Sequence, residues 1–441
     1  MNRQPNVILI VLDTTRADAI YPLKTNRFMP FLSKFSDECV VFENAISPAS
    51  WTIPAHAAIF TGMYPSRNGV VERVNGEIPN YSELLEKYEG KTIAETLSEK
   101  GYKTVGFSQN LLVAPDTSFA RGFAEFYYTN NPHQDTYFRM LRNYNNLIKD
   151  FGTTFNEIVP KILGINEVIK FTSLYMKVKR DTWWLRKADL SDKGGIKVID
   201  RIRNFDLKEP FFLFMNLMEM HDPHDNISLK LNWSDSFFRN EKLSEDKVKI
   251  IRNSYFRAAN KVDLILSELI SILKKKELLD NSLLIITSDH GQSLMEKNDF
   301  FGHGTFLYDE LVKVPLIIRL PFGKKIKIEN GYQSTTQIKS FIDNTVNGIN
   351  TFDSISTDFA FSESYGSLDN ELSKHKNEKK YTEVLASVDV PRKAIYCNGF
   401  KLSLELKNNK IEEFTKNSLP VNFNDYRDIF DNLKEKIEIF G

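Results

Sequence analysis

The feature that most constrains the fold is a series of short apolar segments rich in Val, Ile, Leu and Phe. They occupy residues 7–12, 103–109, 210–218, 282–291 and 315–321. Continuous apolar runs of this length are typical of strands that are buried on both faces, as in a parallel sheet. Segments with a helical pattern lie between them, at 29–38, 91–101 and 255–278. This alternation predicts an α/β fold with a mostly parallel central sheet flanked by helices.

Two regions lack this alternation. Residues 130–195 are aromatic, locally basic and helical in pattern, which is typical of an insertion or lid. Residues 392–414 predict a meander of short antiparallel strands, and residues 425–440 predict a closing helix. We therefore predict a main α/β domain over residues 1–345, with the lid inserted at about 130–195, and a small C-terminal α+β subdomain over residues 346–441.

Composition narrows the function classes. The 441 residues are 41% hydrophobic, and 58 basic residues balance 58 acidic ones, so the charge gives no reason to expect nucleic acid as a partner. Only Cys39 and Cys397 are cysteines, which excludes a disulfide framework and suits a reducing compartment. The sequence has no apolar run of about 18 residues, the length needed to span a membrane. We expect a soluble cytoplasmic protein without a transmembrane segment.

Residues with metal-binding chemistry follow two of the predicted strands. Asp13 ends the first strand, and Asp289 and His290 end a later one. Ligands of open α/β sheets bind beyond the carboxyl ends of the strands, and a buried carboxylate usually needs a cation or another partner. An adjacent Asp and His suit Zn²⁺ or Mn²⁺. The alternatives are that Asp13 caps the next turn and that the Asp-His-Gly turn is purely structural.

Thr52 precedes a predicted helix that ends at Gly62. The N-terminus of a helix offers free N–H groups and the positive end of the dipole, which favour phosphate or sulfate. An oxygen nucleophile at this position would be assisted by the dipole and by a bound cation. The alternative is that Thr52 is an ordinary N-cap residue.

Five of the seven histidines lie in or beside these predicted loops. Histidine side chains there could donate protons or bind anions, although a single loop histidine is more often a surface residue. The five are His56, His221, His224, His290 and His303.

The predicted lid contains Trp183 and Trp184 among lysines and arginines. Aromatic residues in a basic setting suit peripheral contact with a membrane or a lipid-linked substrate. The alternative is a helix face that packs on the main domain while its long basic side chains reach water.

Taken in order, these segments resemble the sulfatase-like branch of the alkaline phosphatase superfamily over most of the chain. The resemblance implies two strands that end in metal ligands, a nucleophile loop with its helix, two segments with substrate-binding histidines, and a small C-terminal sheet. The matching segments are residues 6–18, 47–70, 212–225, 283–292, 302–318 and 392–402.

The resemblance also implies a role for individual residues. Asp13, Asp289 and His290 would be metal ligands, and Thr52 would be the nucleophile and would also contact the metal. His221 and His303 would bind the anionic oxygens of the substrate or assist the leaving group. Further substrate contacts are predicted for Asn110, His56 and His224.

The chain departs from the sulfatase pattern at the nucleophile. Sulfatases have Cys or Ser followed by x-Pro-x-Arg, which is oxidised to formylglycine, whereas residues 52–56 read T-I-P-A-H. A secondary alcohol cannot become that aldehyde, so no formylglycine is expected. Thr14 replaces a second Asp, and with His290 as a nitrogen ligand one Mn²⁺ or Zn²⁺ ion is favoured over Ca²⁺.

Threonine nucleophiles are those of the phosphodiesterase, nucleotide pyrophosphatase and phosphoglycerol or phosphoethanolamine transferase relatives. We therefore predict a metal-dependent hydrolase, or transferase, of phosphate or sulfate esters, with in-line attack by a metal-bound Thr52 and a covalent intermediate. Phosphodiester cleavage or phosphotransfer is favoured. The alternatives are a sulfatase that acts on a glycan or small sulfate ester, and a non-catalytic anion-binding member. Expected substrates are small-molecule, glycan or lipid-head-group esters, and the sequence indicates no oligomeric state.

Overall fold

The structure is a computed structural model, and it describes residues 4–72, 80, 83, 85–129, 192–222, 234–239, 242–323, 331–349, 355–366 and 372–440. Most of the predicted lid, with Trp183 and Trp184, lies outside the described residues, and so does His224.

The described strands form two sheets and one short hairpin. Numbered along the chain, the strands are β1 (Asn6–Leu12), β2 (Val40–Ile46), β3 (Lys103–Ser108), β4 (Glu125–Tyr128), β5 (Phe211–Leu217), β6 (Ser282–Thr287), β7 (Ser293–Leu294), β8 (Phe301–Gly302), β9 (Lys313–Arg319), β10 (Gln333–Ser334), β11 (Phe359–Tyr365), β12 (Pro391–Cys397), β13 (Phe400–Glu405), β14 (Lys410–Lys416) and β15 (Leu419–Pro420). The eight-stranded sheet has the order β10-β2-β9-β6-β1-β5-β3-β4, and the five-stranded sheet has the order β11-β12-β13-β14-β15.

The large sheet is mostly parallel, as predicted. β1 pairs in parallel with β5 on one side and β6 on the other, and all seven of its residues are buried. β9 is the exception, because it runs antiparallel to both β2 and β6. The carboxyl ends of β1, β3, β5 and β6 therefore meet at one edge of the sheet, where the chain leaves each strand for a loop.

Helices cover both faces of the large sheet, and further helices lie in the C-terminal region. The helices are α1 (Ala17–Ile20), α2 (Pro30–Phe35), α3 (Thr52–Thr61), α4 (Pro65–Asn68), α5 (Ile93–Glu99), α6 (Gly195–Asn204), α7 (Asp235–Phe238), α8 (Glu245–Lys275), α9 (Asp309–Val312), α10 (Gln337–Val346), α11 (Tyr381–Val388) and α12 (Arg427–Phe440). Short 3-10 helices lie at Leu23–Thr25, Ser36–Glu38, Pro115–Thr117, Pro321–Gly323, Leu372–His375 and Phe423–Tyr426.

Alternate residues of the strands supply a core on each face of this sheet. Ile8 and Ile10 of β1 pack in one cluster with α2, α6 and α8, while Val7 and Leu9 pack in a second cluster with α3, α5 and α10. Because β1 is buried from both sides, the residue that follows it is held in a fixed position. None of the described helices is long and apolar enough to cross a membrane.

The C-terminal region contains the predicted antiparallel meander and closing helix. Strands β12, β13 and β14 pair antiparallel, and α12 packs Leu433 and Ile437 against their apolar side chains. Strand β11, which the sequence did not predict, pairs with β12 at the side that faces the main sheet. Helix α10 crosses the predicted boundary at residues 345 and 346 and packs with the main core, so we propose a boundary after Val346.

Candidate active site

Three predicted metal ligands meet at the carboxyl edge of the large sheet. Asp13 follows β1, and Asp289 and His290 follow β6, which is the neighbour of β1. One oxygen of each carboxylate and one ring nitrogen of His290 all lie within 4.8 Å of one another. All three side chains are completely buried. We call these residues the candidate metal centre.

Each carboxylate of this centre uses one oxygen for the protein and leaves the other without a partner. Asp289 Oδ1 accepts the N–H groups of Thr14, at 3.1 Å, and His290, at 2.8 Å. Asp13 Oδ2 accepts the Nδ2 amide of Asn110 at 2.8 Å. Asp13 Oδ1 and Asp289 Oδ2 have no hydrogen-bond partner among the described residues. Two buried, unpartnered carboxylate oxygens side by side are costly unless a cation binds between them.

The electrostatics of the centre also favour a cation. Burial, and then the neighbouring Asp13 carboxylate, raise the pKa of Asp289 well above its ordinary value. Burial lowers the pKa of His290 to about 4, so its imidazole is neutral at neutral pH. Like charges in a buried site repel, and a neutral imidazole is the form that binds a metal.

The hydrogen bond of His290 selects the tautomer that a metal ligand needs. Its Nδ1 lies 2.8 Å from the carbonyl oxygen of Gly291, so Nδ1 carries the proton. Nε2 therefore presents its lone pair to the centre, 3.3 Å from Thr52 Oγ1 and 3.3 Å from Asp289 Oδ2. Metal-ligating histidines commonly donate their other N–H to a carbonyl in this way. Two carboxylates and an imidazole thus fit a divalent ion.

Thr52 is the first residue of α3, and it is 2% exposed. The N-cap position belongs to Trp51, and no side chain caps the helix, so Thr52 is not the N-cap residue. The predicted end of the helix is confirmed, because Gly62 has a positive φ of 73°. The Thr52 hydroxyl therefore lies between the helix N-terminus and the candidate metal centre.

His56 lies in α3, one helical turn after Thr52, and is completely buried. Its Nδ1 lies 2.9 Å from the carbonyl oxygen of Thr52, and its Nε2 lies 3.0 Å from the Nδ2 amide of Asn216. Burial lowers the pKa of His56, so the ring is neutral. Both ring nitrogens thus contact protein groups, which places His56 to position Thr52 and Asn216, and its predicted substrate contact remains a prediction.

Asn216 is a site residue that the sequence reasoning missed. It lies in β5, is completely buried, and places Nδ2 3.4 Å from Asp13 Oδ2 as well as close to His56. The signal was present, since Asn216 is the only polar residue of the strand Phe211–Leu217. A lone amide in a strand buried on both faces indicates a hydrogen-bonding task.

Asn110 follows β3 and lies next to Asp13, as its donation at 2.8 Å shows. Its Oδ1 accepts the N–H of Leu112 at 2.9 Å, and the residue is 5% exposed. Both ends of the amide are thus engaged with the protein. This arrangement places Asn110 to orient Asp13, and the predicted substrate contact remains a prediction.

The two remaining predicted histidines border the centre and are only half-buried. The ring of His303 lies 4.5 Å from that of His290 and 5.4 Å from that of His221. His303 Nδ1 lies 2.7 Å from Gln292 Oε1, and His221 Nδ1 lies 3.2 Å from the Asp222 carboxylate. Burial, and then the neighbouring histidines, lower the pKa of His303 well below its ordinary value. The structure thus brings both rings beside the candidate metal centre, where a molecule bound to the metal would lie.

Comparison with known proteins adds a family and a fold. A family model described as Sulfatase matches residues 5–345. An arylsulfatase of Clostridium perfringens is 24% identical over 371 residues, which span 74% of this chain and 71% of that protein. An endo-4-O-sulfatase of Bacteroides thetaiotaomicron is 23% identical over 308 residues, which span 66% of this chain but only 57% of that protein.

Solved structures with a similar fold cover nearly the whole chain. A 2-O GAG sulfatase has a TM-score of 0.64 at 16% identity and covers 99% of this chain and 92% of its own. The phosphonate monoester hydrolase of Silicibacter pomeroyi also has a TM-score of 0.64 at 16% identity and covers 99% of this chain and 94% of its own. At this identity the likeness is one of fold, and it confirms the predicted fold class.

Proposed function

Because this chain belongs to the sulfatase family, within the alkaline phosphatase superfamily of hydrolases, we propose that it is a metal-dependent hydrolase of phosphate or sulfate esters. We propose Thr52 as its nucleophile. The observation that carries this proposal is the position of the Thr52 hydroxyl, 3.3 Å from His290 Nε2 and next to two unpartnered carboxylate oxygens.

In this proposal each residue of the site has a defined task. Thr52 Oγ1 attacks the phosphorus or sulfur atom in line with the leaving oxygen, and the N-terminus of α3 stabilises the negative charge that develops. Asp13, Asp289 and His290 would hold a divalent cation, which when bound supplies Lewis acidity and lowers the pKa of a nearby hydroxyl. His56 holds the carbonyl group of Thr52 and thereby the start of the helix.

His303 and His221 would serve the leaving group. Both are half-buried beside the centre, and the Nδ1 proton of His303 is directed to Gln292. Its Nε2 can therefore accept a hydrogen bond, and it can donate one only after it binds a proton. An anionic substrate next to the ring would raise its pKa and favour that protonated form.

Two observations favour different ester classes. Thr52 favours phosphorus esters, because a phosphothreonine can be attacked by water or by an acceptor alcohol, while the formylglycine route of sulfatases is closed to a secondary alcohol. The names of the relatives favour the second candidate, a sulfate ester of a glycan or small molecule, and they support it better than they support phosphotransfer. On the chemistry of the site we keep phosphorus esters first, with hydrolysis ahead of transfer.

The test uses three matched nitrophenyl esters: a phosphodiester, a phosphomonoester and a sulfate. Metal-stripped protein is reloaded with Mn²⁺, Zn²⁺ or Ca²⁺, and wild type is compared with Thr52→Ala and with Thr61→Ala. Thr61 is a matched control, because it is buried at the other end of the same helix and bonds the carbonyl oxygen of Ala57 at 2.7 Å.

Each outcome selects one candidate. Diester cleavage that needs Thr52 and Mn²⁺ or Zn²⁺ supports the phosphorus-ester proposal. Sulfate cleavage that needs Thr52 supports the second candidate and shows that the preference for phosphorus was wrong. Cleavage that survives in Thr52→Ala overturns the nucleophile assignment. Metal-loaded wild type that cleaves none of the esters points to a non-catalytic anion-binding protein or to a transferase that lacks its acceptor.

A further inference from the structure

One buried hydroxyl closes the loop that carries Asp13. Tyr255 lies on α8 and is completely buried. Its hydroxyl donates to the carbonyl oxygen of Thr14 at 2.8 Å and accepts the N–H of Arg16 at 2.9 Å. The two bonds bracket Thr15, so a single side chain from a distant helix clamps this turn on both sides.

The clamped turn holds an unfavourable backbone conformation. Thr14 has a φ of 55°, in the left-handed region. A β-branched residue rarely adopts this region, and it persists only where the surroundings enforce it. The other bonds of the turn are local or come from the neighbouring strand end: Thr14 Oγ1 donates to the carbonyl oxygen of Asp13 at 2.7 Å, and the N–H of Thr15 lies 2.9 Å from Ser288 Oγ.

This conformation aims a donor at the candidate metal centre. With Thr14 left-handed, its N–H points to Asp289 Oδ1 at 3.1 Å. The N–H of His290 reaches the same oxygen at 2.8 Å. Two donors on Oδ1 fix the rotation of the carboxylate, and Oδ2 is the atom that remains towards Asp13 and His290. A metal ligand is commonly oriented by such outer partners.

Arg16 ties the same turn to the segment after β6. Its guanidinium donates to the carbonyl oxygen of Gln292 at 3.2 Å and forms ion pairs with Asp18 and Glu296 at 2.6 Å each. Because Gln292 contacts His303, the turn after β1 is connected both to the candidate metal centre and to the loop that contains His303. The hydrogen bond from the Arg16 N–H to the Tyr255 hydroxyl therefore belongs to a network that runs from α8 through Arg16 and Gln292 to His303.

We propose that Tyr255 is a positioning residue for metal binding, because its hydroxyl holds Thr14 in the left-handed conformation that lets the Thr14 N–H orient Asp289. The proposal rests on the metal centre assigned above and not on the ester class. The Tyr255 hydroxyl bonds the backbone of Thr14 and Arg16, so in this proposal it acts through Thr14 and not by contact with the ion.

The test measures the dissociation constant of Mn²⁺ by calorimetry on metal-free protein, together with thermal unfolding of each variant. Tyr255→Phe removes only the hydroxyl, and we expect it to weaken Mn²⁺ binding about 10- to 100-fold. Thr14→Gly in the Tyr255→Phe protein should recover most of this loss, because glycine adopts positive φ without a clamp. Thr14→Gly alone should bind within about threefold of wild type.

Tyr102→Phe is the matched control. Tyr102 is also a buried tyrosine whose hydroxyl donates to a backbone carbonyl, that of Pro5 at 2.8 Å, but it lies at the opposite end of the strands. It should leave Mn²⁺ binding unchanged even if it lowers thermal stability. A merely structural role for Tyr255 would make the two variants alike.

Two results would overturn the proposal. Wild-type affinity in folded Tyr255→Phe would show that the hydroxyl does not orient the centre. Equal weakening in Tyr255→Phe with and without Thr14→Gly would show that the conformation of Thr14 is not what Tyr255 controls. Neither readout requires turnover, so a wild-type protein that binds Mn²⁺ and cleaves no ester would contradict the proposed function and leave this inference standing.

Discussion

Two clusters of charged side chains in the described part of the chain differ in whether every charge has an opposite partner within the cluster. The candidate metal centre holds two carboxylates and a neutral imidazole, and two of its oxygens have no hydrogen-bond partner among the described residues. The second cluster, here called the lysine cluster, joins strands β13 and β14 of the C-terminal sheet to α9, β9 and the segment between β7 and β8. It consists of Lys297, Asp309, Lys313, Lys401 and Glu413.

In the lysine cluster every charge has an opposite neighbour. Lys401 of β13 lies 3.0 Å from Asp309 and also pairs with Glu413, and Lys313 lies 2.7 Å from Asp309. Burial would raise the pKa of Asp309, but Lys401 and Lys313 outweigh it and hold the pKa well below its ordinary value. Burial would likewise lower the pKa of Lys401, but Asp309 and Glu413 raise it.

This difference indicates that the candidate metal centre is a binding site and that the lysine cluster is a structural contact between two parts of the protein. A cluster whose charges are paired within the chain stabilises the fold, and the loss of its buried member Lys401 leaves Asp309 and Glu413 with fewer partners. A set that lacks a cation is costly in the free protein and is completed by a ligand. Substitutions at the candidate active site should therefore lower activity and change stability little. Substitutions in the lysine cluster should lower stability and change activity little.

The largest expected effect is the loss of activity in Thr52→Ala. If Thr52 is the nucleophile, kcat/KM for the cleaved ester should fall at least about 10⁴-fold, which corresponds to about 5.5 kcal/mol. The free energy of unfolding should fall by only about 1 kcal/mol, because the substitution removes one buried methyl group and a hydroxyl that does not cap α3. Kinetics and urea unfolding measured side by side check both statements. Comparable activity in Thr52→Ala and Thr61→Ala would contradict the first.

Lys401→Met should show the reverse pattern. It removes a cation that is 3% exposed and leaves Asp309 and Glu413 with one partner fewer, so we expect a loss of about 3 kcal/mol in the free energy of unfolding. The activity per folded molecule should stay within about twofold, since the Lys401 ammonium bonds Leu307, Asp309 and Glu413 and not a residue of the candidate active site.

The control for this variant is Lys410→Met, which alters an exposed lysine of the neighbouring strand. Urea unfolding should leave it within about 0.5 kcal/mol of wild type. If Lys401→Met were as stable as this control, the lysine cluster would not be the structural joint that its geometry indicates.

The pH dependence of stability should show that the ionised Asp309 carboxylate stabilises the folded protein. Its pKa is lower in the folded protein than in the unfolded chain, so its contribution is present above about pH 4 and is lost as the pH falls towards the folded-state value. The stability advantage of wild type over Asp309→Asn should therefore be largest near pH 7 and should shrink below about pH 4. Unfolding curves across this range measure the difference.

The smallest expected effect is on the stability of metal-free Asp289→Asn. This variant keeps an acceptor for the N–H groups of Thr14 and His290 and removes one of two buried like charges. We expect the free energy of unfolding to stay equal or to rise by up to about 1 kcal/mol. A loss of about 3 kcal/mol, as in Lys401→Met, would mean that the two clusters do not differ in kind.

The residues at the strand ends were predictable from the sequence. A buried strand that ends in Asp, and another that ends in Asp-His, must bring these side chains to one edge of a parallel sheet. Asp13, Asp289 and His290 do meet there, and Thr52 is beside them at the start of its helix. The antiparallel meander was predictable for a similar reason, since local patterns determine its hairpins.

The residues that hold the site in place were not predictable in the same way. Tyr255 lies 241 positions from Thr14 along the chain, and its sequence context is that of any buried helix position. Lys401 and Asp309 lie 92 positions apart, and the strand that contains Lys401 reads as one with an exposed polar face. Such pairings depend on how whole layers pack. Asn216, the lone amide of an apolar strand, is the exception that the sequence did signal.

The most direct test is a calorimetric titration of metal-free wild type, Asp289→Asn and Lys401→Met with Mn²⁺ and with Zn²⁺. If the centre is a charge set that a cation completes, wild type and folded Lys401→Met should each bind one ion with equal affinity, and Asp289→Asn should bind it at least about 100-fold more weakly. Wild-type protein that binds neither ion, or Asp289→Asn that binds as tightly as wild type, would contradict the account.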